Sequence, residues 1–76
     1  MKEVLELIIK SLVDDSEAVS IEEIITEKNI NLKVRVANGD MGKVIGKQGK
    51  IAKSIRTLAK SLSAKDGKRV NIEFID

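Results

Sequence analysis

The segment Gly42-Lys43-Val44-Ile45-Gly46-Lys47-Gln48-Gly49-Lys50-Ile51 holds the most chemically suggestive spacing in the chain. Two glycines three positions apart, Gly46 and Gly49, let a backbone turn sharply and let a second backbone approach closely. A helix opening after Gly49 directs its free amides and its positive dipole end toward the loop. A phosphate placed there meets amide donors, with Lys43, Lys47 and Lys50 within reach. The chemistry on offer is capture of a sugar–phosphate chain. The same residues also suit a plain corner between two helices, with Gly46 as the C-terminal cap and Gly49 as a turn residue. Lysine inside the loop, the apolar Val44-Ile45 before it and a basic helix after it favour the phosphate reading.

Other phosphate motifs fail on spacing. A P-loop needs two glycines five apart followed by Lys and Ser or Thr, but position 47 is Lys and Gly46-Lys47 is followed by Gln48. A dinucleotide fingerprint needs a glycine where Val44 stands, and a βαβ crossover that the order of elements does not supply. Enzyme chemistry has no candidate. The chain contains no His and no Cys, which removes imidazole bases, thiol nucleophiles and the usual zinc ligands. It has no Trp or Tyr and one Phe, Phe74, so aromatic platforms for stacking bases are nearly excluded as well.

Charge separates along the chain. Residues 1–32 carry three lysines against eight acids, whereas residues 33–69 carry eleven Lys or Arg against Asp40 and Asp66. The net charge of +2 hides this asymmetry. The basic block predicts a polyanionic partner, and the acidic block argues against indiscriminate coating of nucleic acid or membrane. No run is long and apolar enough for a bilayer span or a signal-peptide core, so the reading is a cytoplasmic protein with no membrane partner.

With 76 residues the chain is read as a single domain over 1–76, which buries a modest share of its surface. Met1 to Val13 reads as a helix with Leu5, Ile8 and Leu12 on its apolar stripe, Val4, Ile9 and Val13 beside it, and Leu7 on the polar side. Asp14-Asp15-Ser16 ends it. Residues 18–27 read as a strand with a bulge, because Glu22-Glu23 and Ile24-Ile25 interrupt the alternation. A turn at Lys28-Asn29 leads to a clear strand with Ile30, Leu32, Val34 and Val36 inward, and Lys33 and Arg35 outward as solvated charge. Asp40 is placed to cap a short helix from Met41 to Ile45. A longer helix spans Lys50 to Leu62, where Ile51, Ile55, Leu58 and Leu62 fall within about 60° on the wheel. Ala52 and Ala59 flank that stripe, and Lys53, Arg56 and Lys60 share the opposite face. Val70, Ile72 and Phe74 alternate inward on a final strand. The prediction is a two-layer α+β domain of order α-β-β-α-α-β, with a three-stranded sheet and three helices packed on one face.

The pattern apolar-apolar-G-x-x-G-x-x-apolar, here Val44 to Ile51, resembles the signature of the KH RNA-binding domain, and the element order is similar to its type II, prokaryotic form. The resemblance to small stand-alone bacterial KH proteins runs nearly end to end, through Leu12-Val13-Asp14, Glu17-Ala18-Val19, Gly42 to Gly49 and Ile55-Arg56-Thr57-Leu58. It implies a non-catalytic protein that clamps about four nucleotides of single-stranded RNA, an RNA chaperone or post-transcriptional regulator without cofactor or metal. Carried onto this chain, Gly46 and Gly49 admit the phosphates, Lys47 and Gln48 form the tip, and Lys43 and Lys50 add charge. Lys53 and Arg56 line the groove, and Val44 and Ile45 supply apolar surface or core. The resemblance also implies a homodimer and pairing with a larger KH-containing protein; Leu7 and the Leu58–Leu62 end of the long helix are the candidate contacts. Members often carry prolines after the second strand and before the first; Ala37-Asn38-Gly39 and Asp15-Ser16 stand there instead, which predicts looser turns.

Two alternatives remain open at this level. One is a protein-interaction subunit whose RNA contact is secondary. The other is a DNA-binding helix–turn–helix, against which the helix from Met41 is too short to carry recognition.

Overall fold

The computed structural model describes residues 1–75. Its helices are α1 (Lys2–Leu12), α2 (Met41–Ile45) and α3 (Lys50–Ser63), and its strands are β1 (Ser20–Ile25), β2 (Asn29–Arg35) and β3 (Arg69–Ile75). Short 3-10 turns fill the connections, at Ser16–Ala18, Asn38–Asp40, Lys47–Gly49 and Ala64–Asp66. The sheet order is β1-β2-β3, with β1 antiparallel and β3 parallel to the central β2.

Alternation decides which face is covered. Ile21 lies opposite Val34, Ile30 beside Val70 and Leu32 beside Ile72, and all six are buried. These residues form one core with Leu5 and Ile9 of α1, Val44 of α2, and Ile55 and Ala59 of α3. All three helices therefore cover one side of a mixed sheet, the α+β arrangement the sequence predicts. The other face carries Glu22, Lys33 and Glu73 in one row and a hydrogen bond from Asn71 to Asn31 of 3.1 Å in the next. No helix among the described residues is long and apolar enough to cross a membrane.

Three expectations need correction. First, β1 has no bulge: its register against β2 runs unbroken from Ser20 opposite Arg35 to Ile25 opposite Ile30. The doubled Glu22-Glu23 and Ile24-Ile25 are tolerated because β1 is an edge strand whose far end is solvated on both faces, leaving Ile24 40% and Ile25 56% exposed. Second, α3 buries a different stripe. Ala52, Ile55, Ala59 and Ser63 face the sheet, while Ile51, Leu58 and Leu62 stand at the margin. That stripe is rotated by roughly 75° from the expected one, taking 100° per residue. The small Ala52 and Ala59 let the helix lie close to the strands, and Ile55 fills the contact. In α1 the buried pair is likewise Leu5 and Ile9, with Ile8 and Leu12 only half-buried.

Third, Asp40 does not cap α2 with its side chain. Its carboxylate is buried and accepts the Asp15 amide N–H at 3.0 Å, so it ties the turn after α1 to the start of α2. This contact holds the proline-free Asp15-Ser16 turn, and a proline at position 15 would have no N–H to give.

Candidate functional site

Helix α2 is only five residues long and is held by the core, with Val44 completely buried and Ile45 half-buried against the same cluster. Val44 thus presents no surface of its own; its part is to anchor the helix that delivers the loop. The Gly46 amide closes α2 on the Gly42 carbonyl at 2.9 Å. Gly46 then adopts φ 76° and ψ 175°, a region open essentially to glycine alone. A Cβ at that position would lie 2.7 Å from Cγ1 and 2.9 Å from Cβ of Ile51. The first turn of α3 is therefore folded back over Gly46.

Lys47 and Gln48 form the exposed tip. Gln48 has φ 56° and ψ 25°, a left-handed conformation uncommon for a residue with a side chain. Gly49 follows at φ 74°, with nothing within 4 Å of where its Cβ would be. As the N-cap of α3 it offers no side chain to the helix amides, so the positive end of α3 opens beside Lys47 of the tip and Lys50 of its own first turn.

Lys47, Lys50 and Lys53 are exposed, and none forms an ion pair among the described residues. Arg56 crosses from α3 to β3. Its guanidinium carbon lies 5.2 Å from the Phe74 ring centroid, and Nη2 donates to the Ile72 carbonyl at 3.5 Å. Arg56, Lys60, Val70, Asn71 and Ile72 line a cleft between α3 and the edge strand β3. Lys53 belongs instead to the outer surface of α3, with Ser54, Thr57, Leu58 and Ser61. The basic face read from the sequence is thus divided, Arg56 and Lys60 turning to the cleft and Lys53 outward. Lys60 and Asn71 were not among the candidate residues. The i, i+4 spacing of Lys60 from Arg56 was the available signal, whereas Asn71 could be found only once β3 was known to be an edge.

Lys43 is placed differently from the other lysines. Its ammonium bonds the Asp14 carboxylate and lies 3.4 Å from Oδ1 of Asp40. The Asp14 contact, followed by Asp40, raises the Lys43 pKa above the usual lysine value. The Asp40 pKa is held below the ordinary carboxylate value, chiefly by the Asp15 amide and further by the Asp14 amide and Lys43, against the opposing effect of burial. A depressed carboxylate stabilises the fold above its unfolded pKa and loses that contribution as pH falls through the folded pKa. The groups facing it are Lys43, Asp14 and the Asp15 backbone. Thermal midpoints measured from neutral pH to below about pH 3 should therefore fall less steeply for Asp40→Asn than for the natural chain. Parallel curves would show that Asp40 carries none of the acid sensitivity.

In comparison with known proteins, residues 2–74 match the family model described as "KhpA/KhpB, KH domain". Among curated relatives, the RNA-binding protein KhpA of Clostridium perfringens is 52% identical over 75 residues, covering 99% of this chain and 100% of that protein. The Clostridium acetobutylicum protein of the same name is 53% identical, with 99% and 100% coverage. That of Listeria monocytogenes is 43% identical over the full length of both. No solved structure matches the chain significantly.

Proposed function

This chain belongs to the KhpA/KhpB family of KH domains, and on that premise we propose that it is a single-domain, non-catalytic protein that binds single-stranded RNA in the cytoplasm. The observation that carries the reading is the loop Gly46–Gly49, whose exposed Lys47-Gln48 tip stands at the uncapped start of α3. Phosphates of a flexible strand dock along the loop from Gly46 to Gly49, where the open side of Gly49 lets the backbone be approached closely, with Lys47 and Lys50 neutralising charge. Bases then lie toward the α3–β3 cleft, with Arg56 and Lys60 along one wall and the edge of β3 at Ile72 along the other. Ile45 adds partial apolar surface, and Lys53 contributes long-range charge from the outer face. Contacts to backbone rather than to base edges give little sequence preference, which suits an RNA chaperone or post-transcriptional regulator.

Titration of a labelled single-stranded RNA across a salt series tests this reading. Each neutralised phosphate contributes about −0.7 to the log–log slope. Three or four contacts should give a slope between about −2 and −3, with the matching duplex bound more weakly. No binding, or binding indifferent to salt, would remove the phosphate clamp.

A second surface supports self-association. Met1, Val4, Ile8, Leu58 and Leu62 line a shallow apolar groove between α1 and α3, with Val4 43%, Leu58 41% and Leu62 43% exposed. Leu7 is 73% exposed but lies apart, among Glu3, Glu6 and Lys10. The groove suits a second copy of this chain, and a larger KH-containing partner is the competing occupant. Replacing Leu58 and Leu62 together by Glu should shift the sedimentation of a dimer to that of a monomer without weakening RNA binding. Unchanged sedimentation of a wild-type dimer would place its interface elsewhere.

A further inference from the structure

Asp40 is the one buried charged side chain among the described residues, and its neighbourhood bears on the proposed RNA site from behind. The Lys43 ammonium is shared between Asp40 and Asp14, whose side chains differ in setting: that of Asp40 is 6% exposed and that of Asp14 is 85% exposed. Asp40 has a structural task in accepting the Asp15 amide. The Asp14 carboxylate pairs with Lys43 and with no other side chain among the described residues. An exposed ion pair of this kind adds little to the stability of a fold. Its larger effect is on what Lys43 can offer to anything else.

Lys43 precedes Gly46 by three residues, about 4.5 Å of helix rise; its side chain is drawn back toward Asp14 and Asp40, away from the loop, and a lysine stem released from them is long enough to swing toward a phosphate there. With two carboxylates on it, the ammonium presents no net positive charge toward that phosphate. We infer that Asp14 competes with the RNA backbone for Lys43 and so restrains the affinity of the glycine loop, while Asp40 keeps the lysine beside it. Asp14 is thereby an affinity-setting residue that touches no RNA. This inference rests on the loop being the RNA site. It differs from that reading in making the lysine just upstream a contested contact, available in full only when the Asp14 carboxylate is replaced or drawn away.

The test is a double-mutant cycle read by anisotropy of a short labelled single-stranded RNA across a salt series. It uses the natural chain, Asp14→Asn, Lys43→Gln and the Asp14→Asn/Lys43→Gln pair. Glu22→Gln serves as a charge-matched control, since Glu22 lies on the sheet face that the helices leave open. Freeing one cation should steepen the slope by about 0.7, which is about fivefold tighter binding at 0.1 M salt relative to 1 M. Asp14→Asn should show that gain, lose it in the Lys43→Gln background, and exceed Glu22→Gln clearly. Equal affinity of Asp14→Asn and the natural chain would overturn the inference while leaving the loop intact as the site. So would a gain that survives Lys43→Gln, since it would be a general charge effect. Failure of every variant, the natural chain included, to bind RNA would remove the underlying reading and this inference with it.

Discussion

Replacing Lys47 and Gln48 together by Asp should weaken single-stranded RNA binding by about a hundredfold, or about 2.8 kcal/mol, while leaving the fold in place. The change turns one positive and one neutral side chain into two negative ones at the exposed tip, where a phosphate would lie nearest. Like charge at contact distance outweighs the remaining attraction from Lys50 and the start of α3. The fold should survive because neither side chain enters the core. The left-handed conformation of Gln48 is also one that Asp adopts more readily than most residues. Circular dichroism and the melting midpoint check that condition, and the RNA titration checks the loss. Retained affinity with an intact fold would make the loop a structural corner.

Gly46→Ala should have the largest effect on stability of the five possible glycine-to-alanine changes, since only there would the added Cβ meet another atom within 4 Å. The backbone there sits at φ 76° and ψ 175°, which alone costs a non-glycine residue about 1–3 kcal/mol. The added Cβ would also fall 2.7 Å from Ile51 Cγ1, and Ile51 cannot yield without moving the first turn of α3. At about 4–8 °C per kcal/mol for a domain of this size, the midpoint should drop by on the order of 10 °C, and RNA binding should suffer as the loop shifts. Gly49→Ala is the comparison. It too has a positive φ, 74°, but open space for the Cβ, so its cost should be about 1–2 kcal/mol, from conformation alone. Equal effects at the two positions would mean that the contact with Ile51 does not shape the loop.

How much of this was legible in the residues depends on whether the deciding contact is local. The β2 and β3 patterns were readable because a strand with one buried face must alternate, and Ile30, Leu32, Val34, Val70 and Ile72 are all buried. The short α2 followed by the glycine loop was readable because glycine at Gly46 and Gly49 ends one helix and permits the turn into the next. The phase of α3 was not. Counting bulky residues put Ile51, Leu58 and Leu62 inward, but a helix lying close on a sheet presents its small residues, and Ala52 and Ala59 carry little weight in such a count. The role of Asp40 was hidden for a different reason. Its partner, the Asp15 amide, lies 25 residues away, so a local rule saw only a helix cap. Arg56 was picked out for its charge, yet its place over Phe74 and against the Ile72 carbonyl depends on the pairing of β3 along the sheet edge.

These corrections bear on the proposed function. The outward turn of Leu58 and Leu62 exposes the apolar groove with α1, and the turn of Arg56 and Lys60 gives the cleft its basic wall. One helix thus serves two surfaces, a basic one toward β3 and an apolar one toward α1.

The most direct test of the account is to follow the backbone amides of the 15N-labelled chain as a short single-stranded RNA is added. The largest shifts should run from Gly46 to Lys50, with further shifts at Arg56 and Ile72, and little change on the open sheet face at Glu22, Asn31 and Lys33. Shifts that spare Gly46 to Lys50 and gather on that open face or along α1 would contradict it.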